Sequence, residues 1–117
     1  MAKGEPLRSF NTGLAGLDFK NEDGTSRAKI LRNSKVGDQL KLVREPNNVK
    51  DPNAVKVCLM SGEQVGYLYA DEAAEIAPRL DKDSPVNCEI VELNVQGSLW
   101  FKKATKCRLK LTKHSMK

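Results

Sequence analysis

The chain of 117 residues has few of the residues from which metal and redox sites are usually built. It contains a single histidine, His114, and three cysteines that lie far apart and form no Cys-x-x-Cys pair. A zinc site is therefore disfavoured, since such sites draw on closely spaced Cys and His ligands. Cys58, Cys88 and Cys107 each lie in an apolar stretch, and we expect them to be reduced residues of the core. No metal or cofactor is expected.

The sequence also lacks the groupings that carry hydrolytic or transfer chemistry. His114 lies close to the C-terminus, where we expect the chain to fray, so we predict no Ser-His or Cys-His pair. Asp51 and Glu63 flank one predicted strand, but no lysine follows Glu63 two positions later, which leaves a metal-dependent nuclease site incomplete. A Gly-rich phosphate loop is absent. We therefore do not expect an enzyme.

Long hydrophobic runs are absent as well. No apolar stretch approaches the roughly 20 residues that span a bilayer, and the first residues, MAKGEP, lack the apolar region of a signal peptide. We expect a cytoplasmic protein without membrane contact. The length suits one domain with its own core, so we predict a single domain over 1–117, with a core at about 7–112 and short flexible termini.

Acidic residues are missing from the last part of the chain. Residues 93–117 contain seven Lys and Arg and no Asp or Glu, whereas residues 1–92 carry a net charge of −2. Concentrated positive charge is typical of surfaces that meet polyanions such as nucleic acids. A basic segment that only aids solubility is the alternative, and charge alone does not separate the two.

Short alternating runs separated by turn residues predict a mainly β fold with two short helices, a small OB-like six-stranded β-barrel in the order β-α-β-β-β-α-β-β. The six predicted strands cover 7–19, the region around Leu40 and Leu42, 54–60, 64–69, 86–95, and a last segment that starts at Trp100 and Phe101. In 86–95 the apolar positions change parity, which predicts a bulge or a strand that bends between two faces.

Two segments have the composition of short helices. The first covers 25–33, and either Asp23 or Thr25 is predicted to cap it. The second starts at Asp71, which is also a predicted cap, and its length is limited by Pro78, which ends or kinks a helix because it lacks a backbone donor.

The loop at 44–54, REPNNVKDPNA, has more short hydrogen-bonding side chains than a turn requires. In one interpretation, Asn47, Asn48, Asp51 and Asn53 hydrogen-bond the local backbone as Asx-turns. In the other, a rigid loop presents amides and one carboxylate to a polar ligand. Asp51 would accept a hydrogen bond from a hydroxyl and repel phosphate, so such a ligand ends in a hydroxyl, with its phosphates near lysines and arginines.

This loop and the hairpin after it carry a family resemblance. Residues 42–57 read LVREPNNVKDPNAVKV, residues 62–68 read GEQVGYL, and a helix with paired alanines at 73 and 74 follows. These motifs resemble the HIRAN domain, with its R-E/D-P-N-N-x-x-D-x-N-A loop and its G-x-x-V/I-G-H/Y turn. The resemblance is dense over 38–80 and extends to the first strand at 15–19. It implies a modified OB-like barrel, found at the N-termini of SWI/SNF-type DNA translocases and as stand-alone bacterial proteins, and this chain resembles the stand-alone type.

The resemblance also implies a function. It implies a DNA-binding module that recognises the 3′-hydroxyl end of single-stranded DNA in repair or replication-fork processing, without catalysis of its own. By the motif, Asp51 accepts the terminal hydroxyl, Asn48 contacts the end nucleotide, and Tyr67 takes a position held elsewhere by histidine. Phe19 offers a stacking face to a base, a contact worth about 1 to 3 kcal/mol in single-strand binders.

Two positions depart from the family pattern. Lys50 stands where an aromatic residue is common, and Asp18 stands where eukaryotic-type domains have a phosphate-binding arginine. The positive charge for phosphates is then supplied by Arg27, by Lys50, or by a third group consisting of Lys102, Lys103 and Lys106.

Several alternatives stay open at this stage. Trp100 is either a base platform or a core anchor, Phe19 has the same two interpretations, and Tyr67 can simply cover the barrel with its ring. An RNA end is a possible ligand, because a loop that reads a 3′-hydroxyl need not notice a 2′-hydroxyl. The alternative function is a non-catalytic interaction module that docks a helicase or nuclease at a barrel edge.

Overall fold

Alternating apolar and polar residues form one antiparallel sheet in the computed structural model, which describes residues 6–98 and 101–114. The described strands, in chain order, are β1 (Pro6–Gly13), β2 (Gln39–Arg44), β3 (Val55–Leu59), β4 (Gln64–Tyr67), β5 (Val86–Gln96) and β6 (Lys103–His114). Helix α1 (Arg27–Leu31) follows β1, and helix α2 (Ala70–Asp81) follows β4. The predicted class and element order are confirmed.

The six strands pair in the order β1-β6-β5-β2-β3-β4 and curve into a half-barrel. Its two outer strands approach each other just after β1, where Ala15 and Tyr67 exchange two backbone hydrogen bonds of 2.9 Å. This approach requires a glycine, because a Cβ at Gly66 would lie 2.6 Å from the carbonyl oxygen of Ala15. The segment after β1 is thereby fixed beside β4, which positions the candidate site.

The core lies between the sheet and the two helices, which both contribute residues to it. Leu31 from α1 and Ile76 from α2 are fully buried against strand residues such as Ile90 and Leu109. The three cysteines are free and buried, as predicted. Burial raises the pKa of the Cys88 thiol to about 12 and that of Cys107 to about 11, so both stay protonated at neutral pH.

Both helices differ in detail from the prediction. Helix α1 covers only residues 27–31, and its cap is Ser26, whose hydroxyl accepts from the backbone N–H of Lys29. Asp23 instead accepts from Thr25 in the preceding turn. Helix α2 is capped at Tyr69 without a side-chain bond, and it continues through Pro78 to residue 81. Pro78 is exposed, so the carbonyl that it leaves unpaired can reach water, and burial of Ile76 and Ala77 keeps the helix on the sheet.

The first and last strands have boundaries that differ from the predicted ones. The first strand ends at Gly13 instead of running to Phe19, since the chain turns away toward β4. The last strand begins at Lys103, and Trp100 lies outside the described residues. His114, predicted to fray, is the last residue of β6 and is buried. The predicted bulge in β5 is confirmed by a register shift between Ile90 and Glu92.

Two further properties hold for residues 6–98 and 101–114. No helix there has the length and apolar character that a bilayer crossing requires. No group of three or more His, Cys, Asp or Glu side chains in this part of the chain could hold a metal ion.

Candidate functional site

The loop between β2 and β3 is fixed by its own side chains. The Oδ1 atom of Asn48 accepts from the backbone N–H groups of Lys50 at 2.9 Å and Asp51 at 3.1 Å, and its Nδ2 donates to Glu45 at 2.8 Å. Asp51 Oδ1 accepts from the N–H of Asn53 at 2.9 Å. The Asx-turn interpretation is therefore confirmed for Asn48 and Asp51, and Asn48, predicted as a ligand contact, also fixes the loop conformation.

Glu45 joins this loop to the edge strand β4. Its Oε1 accepts from Asn48 and, at 2.8 Å, from the hydroxyl of Tyr67, while Lys56 Nζ lies 3.7 Å from Oε2. Burial raises the pKa of Glu45, but the hydrogen bonds from Asn48 and Tyr67 and the charge of Lys56 outweigh it, so that the pKa falls below its ordinary value. Burial and the hydrogen bond to Glu45 both raise the pKa of Tyr67. The hydroxyl thus stays protonated and donates to a charged carboxylate.

Arg27 lies beside Tyr67 and is 8% exposed. Its Nε donates to Asn21 Oδ1 at 2.8 Å, its Nη1 donates to the carbonyl of Gly16 at 3.0 Å, and its guanidinium lies 5.4 Å from the centre of the Tyr67 ring. Within the described part of the chain, no carboxylate forms an ion pair with it. A buried guanidinium held by neutral acceptors retains its full charge for a ligand.

The loop between β2 and β3, Arg27 and Tyr67 border an open cleft of about 450 Å³, which we call the loop cleft. It is lined by Ala15, Gly16, Phe19, Arg27, Asn48, Val49, Lys50 and Tyr67. Phe19 is 70% exposed, so its interpretation as a core residue is wrong. The lining contains two cations, two aromatic rings and no carboxylate. An adjoining depression that shares Arg27 and Tyr67 with it includes the carboxylates of Glu22 and Glu45. The fold therefore gathers five of the predicted site residues.

The other predicted site residues lie elsewhere. Asp51 is half-buried next to Lys50 but is not part of the cleft lining. Lys102 and Lys103 are exposed near the start of β6, and neither lines the loop cleft. Trp100 falls outside the described residues. The basic group at 102 and 103 is thus separate from the cleft in which Arg27 and Lys50 converge.

A second depression of about 410 Å³ lies on the other side of Phe19, and we call it the β6 cleft. It is lined by residues 13–14 and 16–19, by Tyr69, and by Thr105, Lys106, Cys107 and Arg108 of β6. Phe19 belongs to both clefts. Asp18, the residue that departs from the family pattern, faces this second cleft and not the first.

Sequence reasoning did not select Val49, Tyr69 or Arg108. Val49 lies at the tip of the loop and is 97% exposed, and a hydrophobic residue inside a run of polar loop residues was the available signal. Tyr69 is 48% exposed and comes two residues after β4 in the chain, and its place beside Gly13 of β1 depends on the fold. Arg108 is one of the seven Lys and Arg residues in the basic segment 93–117.

The HIRAN domain family profile matches residues 8–112. The Fanconi-associated nuclease 1 homolog of Arabidopsis thaliana is 37% identical over 78 residues, which are 67% of this chain and 7% of that protein. The helicase-like transcription factor of Oryctolagus cuniculus is 52% identical over 40 residues, which are 34% of this chain and 4% of that protein. The chain thus spans a small fraction of the length of these relatives.

Solved structures share the fold. The crystal structure of the HIRAN domain of human HLTF matches with a TM-score of 0.69 at 22% identity and covers 95% of this chain and 78% of that chain. A protein from Lactobacillus plantarum matches with a TM-score of 0.64 at 18% identity and covers 94% of this chain and 96% of that one. At these identities the likeness establishes the OB-like half-barrel fold.

Proposed function

This chain belongs to the HIRAN domain family, and from that premise we propose that it is a DNA-binding module that recognises the 3′-hydroxyl end of single-stranded DNA. The observation that carries the proposal is the loop cleft, in which Arg27 and Lys50 meet the exposed ring of Phe19 without a carboxylate in the lining. Single-strand binders combine positive charge for the backbone with aromatic faces for the bases. The cleft has room for one nucleotide end.

The phosphate of the terminal nucleotide is assigned to Arg27. Its guanidinium is buried, is fixed by two hydrogen bonds and is not neutralised within the described residues, so little side-chain entropy is lost on binding. Glu22 and Glu45 line the adjoining depression and not the loop cleft, which favours the loop cleft, where Phe19 lies, for the anion. Lys50 takes the place of an aromatic residue and adds a second, mobile cation.

The 3′-hydroxyl is assigned to Asp51. One carboxylate oxygen, Oδ1, accepts from the backbone of Asn53, and within the described part of the chain Oδ2 accepts no hydrogen bond. Oδ2 can therefore accept one from a hydroxyl, and a charge-assisted bond of this kind is stronger than a neutral one. A terminal phosphate at the same place would be repelled.

The domain is proposed to act beside an enzyme. The relatives are named as a nuclease and a helicase-like factor, and the shared segment is only 7% or 4% of their length. A module that holds a DNA end suits repair or fork processing, in which a helicase or nuclease acts on the captured end. We further propose that residues 1–117 form a single domain without catalytic activity of its own.

The test compares one labelled oligonucleotide that ends in a 3′-hydroxyl with the same oligonucleotide ending in a 3′-phosphate, by fluorescence anisotropy. The wild type is expected to bind the hydroxyl end at least tenfold more tightly, a ratio equivalent to about 1.4 kcal/mol. Asp51→Ala removes both the charge and the bond to Asn53. Asp51→Asn keeps an acceptor for that bond and removes only the charge.

The two variants separate reading of the end from stiffness of the loop. If Asp51 reads the hydroxyl, both variants bind the two ends almost equally. If only Asp51→Ala loses discrimination, Asp51 acts through loop conformation instead. Asp83→Asn, which changes an exposed aspartate after α2, is the matched control and should behave as the wild type. Equal binding of both ends by the wild type would contradict the proposal.

A further inference from the structure

We propose that the β6 cleft binds the nucleotides that precede the terminal one in the same strand, so that the DNA runs from the loop cleft over Phe19 and along β6. This inference rests on the proposed function, because it assumes that the strand end occupies the loop cleft. It assigns a ligand-binding role to Tyr69, Lys106 and Arg108, which the sequence did not indicate as a group.

Two exposed aromatic rings border the β6 cleft. Phe19 is 70% exposed and Tyr69 is 48% exposed, and both line it. The Tyr69 ring lies directly on Gly13, since a Cβ at that glycine would be 3.0 Å from Cε2 of the ring. The ring is therefore held against the end of β1, with part of its surface open. A fixed and partly exposed ring is suited to stack a base, because little conformational freedom is lost on binding.

Positive charge lies on the β6 side of this cleft. Arg108 pairs in register with Gly13, the residue on which the Tyr69 ring rests, so a cation and an aromatic ring lie side by side. Within residues 6–98 and 101–114, Arg108 forms no ion pair with a carboxylate. Lys106 lies 3.2 Å from Glu92, and both side chains are about half exposed. Such a surface pair is worth little, so Lys106 can exchange Glu92 for a phosphate.

The charge of Asp18 favours one path for the sugar-phosphate backbone of the bound DNA. Asp18 lines the β6 cleft and precedes Phe19 in the chain, so its charge repels phosphates from the part of the cleft next to Phe19. Phosphates are then directed toward Lys106 and Arg108, and bases toward Phe19 and Tyr69. Alternation of cations with aromatic faces is the arrangement that single-strand binders use along a strand, which favours nucleotides over a peptide as the occupant.

The experiment varies ligand length against a panel of variants. Ligands that end in a 3′-hydroxyl are a 5′-phosphorylated mononucleotide, followed by NMR titration, and an octanucleotide, followed by anisotropy. Tyr69→Ala should weaken the octanucleotide about fivefold or more and leave the mononucleotide unchanged. Arg108→Gln should reduce the salt dependence of octanucleotide binding by about 0.7 in the slope of log K against log salt. Asp18→Asn should strengthen octanucleotide binding.

Matched controls lie outside both clefts. Phe101→Ala removes a ring that is 76% exposed, and Lys41→Gln removes an exposed lysine of β2; neither residue lines the loop cleft or the β6 cleft. Thermal melts establish which variants are folded. If Tyr69→Ala fails to fold, Arg108→Gln and Asp18→Asn still decide the question.

The outcomes distinguish this inference from the proposed function. The inference is supported if Tyr69→Ala and Arg108→Gln weaken octanucleotide binding as predicted, Asp18→Asn strengthens it, and discrimination of the 3′-hydroxyl is retained. If the wild type discriminates the 3′ ends while Arg108→Gln and Asp18→Asn behave like Lys41→Gln, the inference is overturned and the proposed function stands. If the wild type ignores the 3′ group, the proposed function fails, whatever the β6-cleft variants do.

Discussion

Replacing Tyr67 with phenylalanine tests the connection between the binding loop and the edge of the sheet. The substitution removes one hydroxyl, which donates to Glu45 at 2.8 Å, and keeps the ring that lies against Arg27. A hydrogen bond to a charged group contributes about 1.5 to 3 kcal/mol, and a neutral one about 1 kcal/mol. Glu45 keeps its bond from Asn48 and is 31% exposed, so water partly replaces the lost donor.

The expected loss in the free energy of unfolding is therefore at the low end, about 1 to 1.5 kcal/mol. For a domain of this size, about 4 °C in melting temperature corresponds to 1 kcal/mol, so Tyr67→Phe should melt about 4 to 6 °C lower. The assay is urea unfolding at pH 7, together with thermal melts. Tyr69→Phe is the matched control, because within the described residues the Tyr69 hydroxyl donates to no side chain or carbonyl, and little change is expected.

The same substitution has a predictable pH dependence. The pKa of Glu45 is lowered in the folded state below the ordinary value of 4.5. The stabilisation that follows from this shift is fully present above that value and is lost as the pH falls through the folded-state pKa. Tyr67→Phe should therefore cost most at pH 7, and its cost should fall as the pH drops below 4.5 and Glu45 takes up a proton in the folded state.

A double-mutant cycle with Glu45→Gln completes the test. Coupling between the two positions of about 0.5 kcal/mol or more is expected at pH 7. If Tyr67→Phe costs the same at pH 7 in the Glu45→Gln background, and its cost in the wild-type background does not fall as Glu45 is protonated at low pH, the hydroxyl does not act through the carboxylate and the reasoning is refuted.

Three further predictions follow from single contacts. Arg27→Lys keeps the charge but loses the guanidinium geometry that makes two hydrogen bonds, so urea unfolding should show a loss of about 2 kcal/mol; an unchanged midpoint would contradict this. Gly66→Ala places a Cβ 2.6 Å from the carbonyl oxygen of Ala15 and should cost about 2 to 3 kcal/mol, whereas a neutral effect would mean that the two outer strands separate easily. The Cys88 thiol, which is 1% exposed and has a pKa of about 12, should react with Ellman's reagent only as fast as the protein unfolds; rapid labelling of Cys88 in the folded protein would contradict its burial.

Local pattern was sufficient for much of the fold. The strands β2 to β4 and the bulge in β5 followed from period-two alternation and turn residues, because these signals depend on neighbours in sequence. Helix α2 runs through Pro78 because its buried face, with Ile76 and Ala77, packs on the sheet. That contribution comes from distant strands, and a local propensity rule does not contain it.

The sequence predicted individual residues of the candidate site, but it did not predict how these residues are arranged in space. The motif at 44–54 predicted Asn48, Lys50 and Asp51 together as site residues. In the structure the side chain of Asn48 forms its hydrogen bonds within the loop itself. The sequence did not decide whether Phe19 lies in the core or on the surface, because this depends on where the first strand ends. The strand ends at Gly13. The 70% exposure of Phe19 follows from the turn that the chain makes there.

By itself, the sequence determined the family, the order of strands and helices, the three buried cysteines and the polar composition of the loop. These are properties of local pattern and of residue type. Only the tertiary structure decided that Arg27, Phe19 and Tyr67 meet at one cleft, and that a second cleft with Tyr69 and Arg108 adjoins it. The pairing of Ala15 with Tyr67 and of Gly13 with Arg108 brings together segments far apart in the chain, and such long-range pairing is fixed by burial of the whole sheet.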